Sequence, residues 1–183
     1  MALSKTEQVR VSKFLSLVLR HEPDAAGVTL DEAGWCGVDA LLQGCSSHGY
    51  EVSRDDLASV VEQNDKKRFQ FSEDGGSIRA VQGHSIDVDL DYQPQNPPEV
   101  LYHGTATRFL NPIRQQGLLK MSRQFVHLSA TRETAQKVGE RHGKPIILEV
   151  RAGEMHRSGT PFYRSANGVW LVDAVPPTFL RFP

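Results

Sequence analysis

Leu101-Tyr102-His103-Gly104-Thr105 and, further along, Arg123-Gln124-Phe125-Val126-His127-Leu128-Ser129 are two short runs that read as buried strands, and each delivers a histidine. Val100 to Tyr102 and Phe125 to Leu128 are rich in β-branched and aromatic residues, with polar residues where each run ends or turns. Each histidine therefore stands at the edge or mouth of a strand. Alone, either one reads as a core histidine satisfied by backbone groups. Together with Gly104, Thr105 and Ser129 they read as a binding site, because a glycine lets a ligand approach the backbone and the small hydroxyls donate and accept hydrogen bonds.

Outward from these runs, residues 100–183 alternate short strands with short helices. Strands are expected at 100–103, 125–129, 146–150, 169–172 and 178–182, with helices before Gly117 and from Thr131 to Val138. No G-x-G-x-x-G follows a strand, which disfavours a doubly wound dinucleotide fold. Residues 1–85 carry a different pattern. Ser4 and Glu7 have capping-box spacing ahead of Val11, Phe14, Leu15 and Val18 on one helical face, and Pro23 ends that helix after Arg20-His21. A second helix is expected near Val38 to Leu42, and a third after Ser53 and Asp56, another capping box. Phe69 and Phe71 alternate with polar residues, Glu73-Asp74-Gly75-Gly76 makes a turn, and Ser77 to Val81 returns as a hairpin. Three helices and a hairpin read as a winged helix. Residues 86–99, acidic and then proline-rich, read as the connection. The expected fold is α+β: an N-terminal winged-helix lobe, 1–85, a linker, 86–99, and a C-terminal lobe, 100–183, with a split, compact sheet.

The chain resembles the NAD-dependent RNA 2′-phosphotransferase family along nearly its whole length. The resemblance rests on Leu19-Arg20-His21, Lys67-Arg68-Phe69, Arg79-Ala80 leading into Gln82-Gly83-His84-Ser85, Tyr102-His103-Gly104-Thr105, Gly117-Leu118, Val126-His127-Leu128-Ser129, Gly168-Val169-Trp170-Leu171 and Val175-Pro176-Pro177. One departure is Phe125, where the family often carries a polar residue or another histidine; it touches local packing only. The resemblance implies an ADP-ribosyltransferase-like C-terminal lobe. It also implies the removal of a splice-junction 2′-phosphate from tRNA, with NAD as co-substrate.

That resemblance puts Arg20, His21, Arg68 and Arg123 around the transferred phosphate. The first three have plain alternatives: cations such as Arg20 and His21 at a helix C-terminus are favoured by its dipole, and Arg68 reads equally as a solvent-facing strand residue beside Lys66 and Lys67. Arginines suit the implied chemistry, since a 2′-phosphate is already an anionic nucleophile and needs orientation and charge balance more than a base. Protein-modifying ADP-ribosyltransferases use a late glutamate, whereas no Glu follows Glu154 here, and a hydrophobic residue near Val175 is expected in its place. The implied second step has the 2″-hydroxyl of the attached ADP-ribose attack phosphorus, giving ADP-ribose 1″,2″-cyclic phosphate and a free RNA 2′-hydroxyl. His21 is the candidate acid or base there. His103, Gly104, Thr105, His127 and Ser129 are the candidates for holding NAD, with Arg141 and then His142 behind them; His48 and His156 read as surface residues.

Charge agrees with this division of labour. The net charge of −1 conceals nine Lys and Arg against thirteen Asp and Glu in 1–85 (−4), four acids in 86–99 (−4), and twelve bases against five acids in 100–183 (+7). A basic C-terminal lobe suits a pyrophosphate; RNA contacts on the first lobe must be local. With 183 residues the chain accommodates one sizeable domain or two small lobes. No apolar run approaches membrane-spanning length, and no charged-then-apolar leader opens the chain, so a cytoplasmic protein without a membrane partner is expected. Cys36 and Cys45 are expected as free thiols, and no Cys/His cluster suggests a metal. Three readings follow: a 2′-phosphotransferase acting on tRNA-like RNA, an ADP-ribosyltransferase that modifies terminal phosphates of nucleic acid, and a winged-helix RNA-binding module without turnover.

Overall fold

The computed structural model describes residues 3–183. It is a mixed α+β structure that divides into two compact units, Met1–Asp91 and Tyr92–Pro183, each with its own hydrophobic core.

In the first unit, α1 (Lys5–Arg20) begins at the expected capping box: the Glu7 amide donates to Ser4 Oγ at 3.3 Å, and the Ser4 amide donates to Glu7 Oε2 at 2.8 Å. The helix buries Val11, Leu15, Val18 and Leu19, and a 3-10 turn at Pro23–Ala26 follows it. Then come β1 (Cys36–Gly37), α2 (Val38–Ser47), α3 (Arg54–Glu62), β2 (Phe69–Phe71) and β3 (Ser77–Ala80). The Ser53/Asp56 box caps α3 as its sequence requires. The sheet order is β1-β3-β2, all antiparallel; the two-residue β1 was too short to leave an alternating pattern in the sequence. Cys36 and Cys45 are free and fully buried, and burial pushes both thiols up to about 11, so they stay protonated at neutral pH.

The 86–99 stretch is anchored at both ends. Val88 and Leu90 are buried and the Asp89 amide donates to the Glu32 carbonyl at 2.7 Å, whereas the Gln95 amide donates to the Phe162 carbonyl at 2.8 Å and Glu99 pairs with Arg157.

The second unit holds β4 (Leu101–Ala106), α4 (Leu110–Gln116), β5 (Leu118–Leu119), β6 (Val126–Leu128), α5 (Arg132–Gly139), β7 (Pro145–Val150), α6 (Ala152–Arg157), β8 (Tyr163–Arg164), β9 (Trp170–Val172), β10 (Ala174–Val175) and β11 (Leu180–Arg181). The strand expected over 178–182 is shorter, because Pro177–Phe179 forms a 3-10 turn first. Two three-stranded antiparallel sheets result, β11-β7-β4 and β6-β9-β8, with β10-β5 as a separate pair. The two larger sheets join at one point, where Tyr102 and Ser129 exchange backbone hydrogen bonds of 2.9 and 2.8 Å. Among the described residues no helix is long and apolar enough to cross a membrane.

Candidate functional site

The seam between β4 and β6 carries the first cluster. His103 lies one residue past the Tyr102–Ser129 bridge, and its Nδ1 is 3.1 Å from the His127 carbonyl. A carbonyl only accepts, so Nδ1 bears the hydrogen and the neutral ring presents a lone pair at Nε2. Burial first, then the nearby His142 and Arg123, holds the His103 pKa below its usual value and so favours the neutral form, against the upward pull of the His127 carbonyl. The neighbouring ring is fixed in the opposite sense. Arg123 Nη1 approaches His127 Nδ1 at 3.1 Å, and since a guanidinium only donates, His127 accepts at Nδ1 and carries its hydrogen on Nε2. One histidine thus offers an acceptor and the other a donor, a pairing suited to hydroxyl groups of a sugar.

Burial, and then the like charge of the nearby Arg141, lowers the Arg123 pKa. Arg141 and His142 stand on the 3-10 turn Glu140–His142, so both weaker candidates join this cluster electrostatically. Phe125 packs its ring against Tyr163 and Tyr92, at centroid distances of 5.5 and 6.1 Å.

Gly104 has a packing reason beside the ligand approach its sequence suggested. A Cβ at that position would stand 1.7 Å from the Ala135 carbonyl oxygen and 2.9 Å from the Gly139 nitrogen, so the glycine is required because α5 lies directly on β4. Gly139 reciprocates: its own Cβ would come within 2.8 Å of the Thr105 carbonyl. Thr105 is 5 % exposed, which leaves its hydroxyl little access to a ligand. Ser129 is half-buried, its backbone spent on the bridge to Tyr102. Val175 is fully buried, paired with Leu118 and pressed against Gly117, where it serves the core.

The first unit carries the second cluster. Arg20 ends α1 and His21 is its C-cap, where cations meet the favourable end of the helix dipole. Ser85 binds both: its amide donates to the Arg20 carbonyl at 3.0 Å, and its hydroxyl lies 2.8 Å from His21 Nδ1. Arg68 is delivered by a tight loop after α3. The Asn64 carbonyl accepts from the Lys67 amide at 2.8 Å, Lys67 adopts a positive φ of 43°, and Asn64 Nδ2 donates to Ser12 Oγ of α1 at 3.1 Å. Arg20 and Arg68 consequently line one concavity of about 460 Å³.

Two residues in this cluster had no assigned role in the sequence, although they stand in a motif. Ser85 anchors His21. His84 is 1 % exposed, and among the described residues neither of its ring nitrogens has a hydrogen-bond partner. Burial, and then the charges of Arg20, His21 and Arg79, press its pKa down to about 4. A neutral His84 ring therefore stands beside Arg20 and His21. A polar side chain without alternation or helical spacing leaves no periodic signal, so only the motif could have pointed to it. His48 is exposed beyond α2; His156 is half-buried, with Nε2 3.0 Å from Asn96 Oδ1.

Of the candidate residues, the structure brings Arg123, His127, His103, Ser129, Arg141 and His142 into one neighbourhood of the second unit, and Arg20, His21 and Arg68 into one neighbourhood of the first. Gly104 and Thr105 lie on the same strand as His103, packed beneath α5. Among the described residues, no group of three or more His, Cys, Asp or Glu side chains is arranged to hold a metal ion.

The chain is similar to known proteins over nearly its whole length. The chain is 54 % identical over 179 residues, 98 % of both chains, to a probable RNA 2′-phosphotransferase of Trichormus variabilis. It is 56 % identical over 169 residues to one of Acaryochloris marina, covering 92 % of this chain and 93 % of that one, and 55 % identical over 171 residues to one of Pseudomonas aeruginosa, covering 93 % and 94 %. Residues 6–174 match the family described as RNA 2′-phosphotransferase, Tpt1 / KptA, and the chain belongs to that family.

Proposed function

We propose that the protein is an NAD-dependent RNA 2′-phosphotransferase, with residues 1–91 forming a winged-helix unit on the RNA side and residues 92–183 an ADP-ribosyltransferase-like unit for NAD. The overall reaction passes through an ADP-ribosylated RNA 2′-phosphate and yields 2′-hydroxyl RNA, nicotinamide and ADP-ribose 1″,2″-cyclic phosphate. The observation that carries the reading is the pair of complementary histidines at the sheet seam, beside Arg123, in a chain that matches the family almost end to end.

NAD would supply the activated ribose carbon. The chain's own residues orient and neutralise. His103, through the Nε2 lone pair, and His127, through its Nε2 hydrogen, suit ribose hydroxyls, and Arg123 with Arg141 suits pyrophosphate or phosphoryl oxygens. Arg20 and Arg68 grip the 2′-phosphate with forked guanidinium groups. His21, held by Ser85, moves the proton when the 2″-hydroxyl attacks phosphorus. No general base is needed for attack by the phosphate itself, which agrees with the absence of any glutamate after Glu154.

The test is incubation with NAD and a short RNA carrying one internal 2′-phosphate. Release of nicotinamide together with a cyclic ADP-ribose phosphate is expected, with no comparable release from the 2′-hydroxyl RNA. RNA that retained ADP-ribose would point to a nucleic-acid ADP-ribosyltransferase, and unchanged NAD would leave only a binding module.

A further inference from the structure

The side of α1 that flanks its core stripe carries Lys5, Ser12, Lys13, Ser16 and Arg20, which recur at helical spacing along one side of the concavity, with Ser12 buried at the border of the core. The loop from Asn64 to Arg68 forms the other wall. Lys5 and Lys13 are exposed and make no ion pair among the described residues. Asp65 is the only acid lining this concavity, against five lysines and arginines. This is a local basic channel on a unit whose overall charge is negative, so its sign is not inherited from the surroundings.

The geometry points to a track for the RNA strand. We infer that the groove along α1 binds the backbone phosphates of the nucleotides flanking the 2′-phosphate, with Lys13 and then Lys5 as successive contacts. The inference rests on the proposed function, since it takes Arg20 and Arg68 as the end of the groove that holds the reacting phosphate. At 1.5 Å per residue, Lys13 stands about 10 Å along the helix from Arg20 and Lys5 about 22 Å. The helix is therefore a ruler. A substrate ending next to the 2′-phosphate reaches neither lysine, a slightly longer one reaches Lys13, and only a several-nucleotide extension reaches Lys5. Ser12, with Asn64 bonded to it, fixes the two walls of the groove relative to each other.

Two measurements on the full chain test this. The first is binding of fluorescein-labelled, unphosphorylated single-stranded RNA of increasing length, extended on either side of a fixed nucleotide, as a function of salt. Neutralising two phosphate contacts contributes about 1.4 to the slope of log affinity against log salt, so Lys5→Gln/Lys13→Gln should lower the slope by that amount for long RNA and leave it unchanged for a dinucleotide. The second is KM for 2′-phosphorylated substrates. The double variant should raise it roughly five- to twentyfold for an RNA extended along the track and leave a 2′-phosphorylated dinucleotide unaffected, with kcat preserved. Lys13→Gln alone should act at a shorter extension than Lys5→Gln alone, and Lys13→Arg should restore binding. Equal salt slopes for wild type and double variant on extensions of both polarities would overturn the inference. Because binding needs no turnover, length-dependent binding without reaction would count against the phosphotransferase reading alone, whereas turnover with length-independent binding would count against the track alone.

Discussion

Acidification should weaken the first unit through His84. The ring is buried without hydrogen-bond partners among the described residues, and its pKa is held at about 4, against 6.5 for a free histidine. Between those values the unfolded chain binds a proton that the folded unit refuses, so stability is complete above about pH 6.5 and falls as the pH drops toward 4. At pH 4.5 the unfolded histidine is almost wholly protonated and the folded one is mostly neutral, which works out to about 2.5 kcal/mol lost relative to pH 7. That is a large share of a stability of roughly 5 to 15 kcal/mol. Urea unfolding at pH 7 and 4.5 measures it, followed by Trp35, which lies beneath the Arg79 guanidinium at 4.4 Å, in a Trp170→Phe background that leaves Trp35 as the single tryptophan. His84→Asn serves as the reference. Its absolute stability is immaterial, since the lowered carboxyl pKa values of Glu7, Asp56 and Asp74 act equally in both proteins and cancel in the difference between pH values. If wild type and His84→Asn lose the same stability on acidification, the ring is not held neutral and the reasoning fails.

The other predictions concern the two clusters. Gly104→Ala should lower the melting temperature of the second unit by at least several degrees, since the new methyl meets the Ala135 carbonyl and overpacking costs about 1 to 3 kcal/mol or more; an unchanged melting temperature with lost NAD affinity would return the glycine to a ligand-contact role. Arg20→Lys, Arg68→Lys and Arg123→Lys should each slow dephosphorylation about ten- to a hundredfold, because each keeps the charge and loses the fork, and near-normal rates in all three would remove the phosphate clamp. Ser85→Ala removes the hydroxyl that contacts His21 Nδ1 and should reduce kcat several-fold with little change in KM, accompanied by a displaced pH profile; a pure KM effect would mean that Ser85 acts on substrate binding instead. His103→Phe keeps the ring volume and removes the Nε2 acceptor, and calorimetry should find weaker NAD binding by the folded protein.

Helices and capping boxes were legible because their signals are local: the Ser4/Glu7 and Ser53/Asp56 pairs mark α1 and α3 within a residue. The strands carrying His103 and His127 were legible from composition. Short elements were not. The two-residue strands β1, β5, β8, β10 and β11 exist by pairing with distant segments, and nothing in two residues encodes a partner. The same limit explains Gly104, whose neighbour Ala135 is 31 positions away, so the sequence could register that a glycine was needed but not what pressed on it. His84 and Ser85 were visible as a motif, yet their roles depend on the end of α1, more than sixty residues earlier, and became readable only when the Ser85–Arg20 and Ser85–His21 contacts did.

The seam between the two larger sheets of the second unit is thin. Where β4 and β7 share a register of six residue pairs, β4 and β6 are held by the two backbone bonds of Tyr102 and Ser129 and by the His103 ring on the His127 carbonyl. The imidazole is thus a third rung of the ladder, and one whose strength is adjustable. A hydroxyl that donates to Nε2 withdraws electron density from the ring and makes Nδ1–H a better donor, because hydrogen bonds in series polarise one another. Occupancy of the site and cohesion of the two sheets then reinforce each other, and linkage requires that whatever binds at His103 also slows the opening of the seam. Amide exchange at Tyr102 and Ser129 should consequently be fast in the free protein relative to the β4–β7 amides, and selectively retarded by NAD.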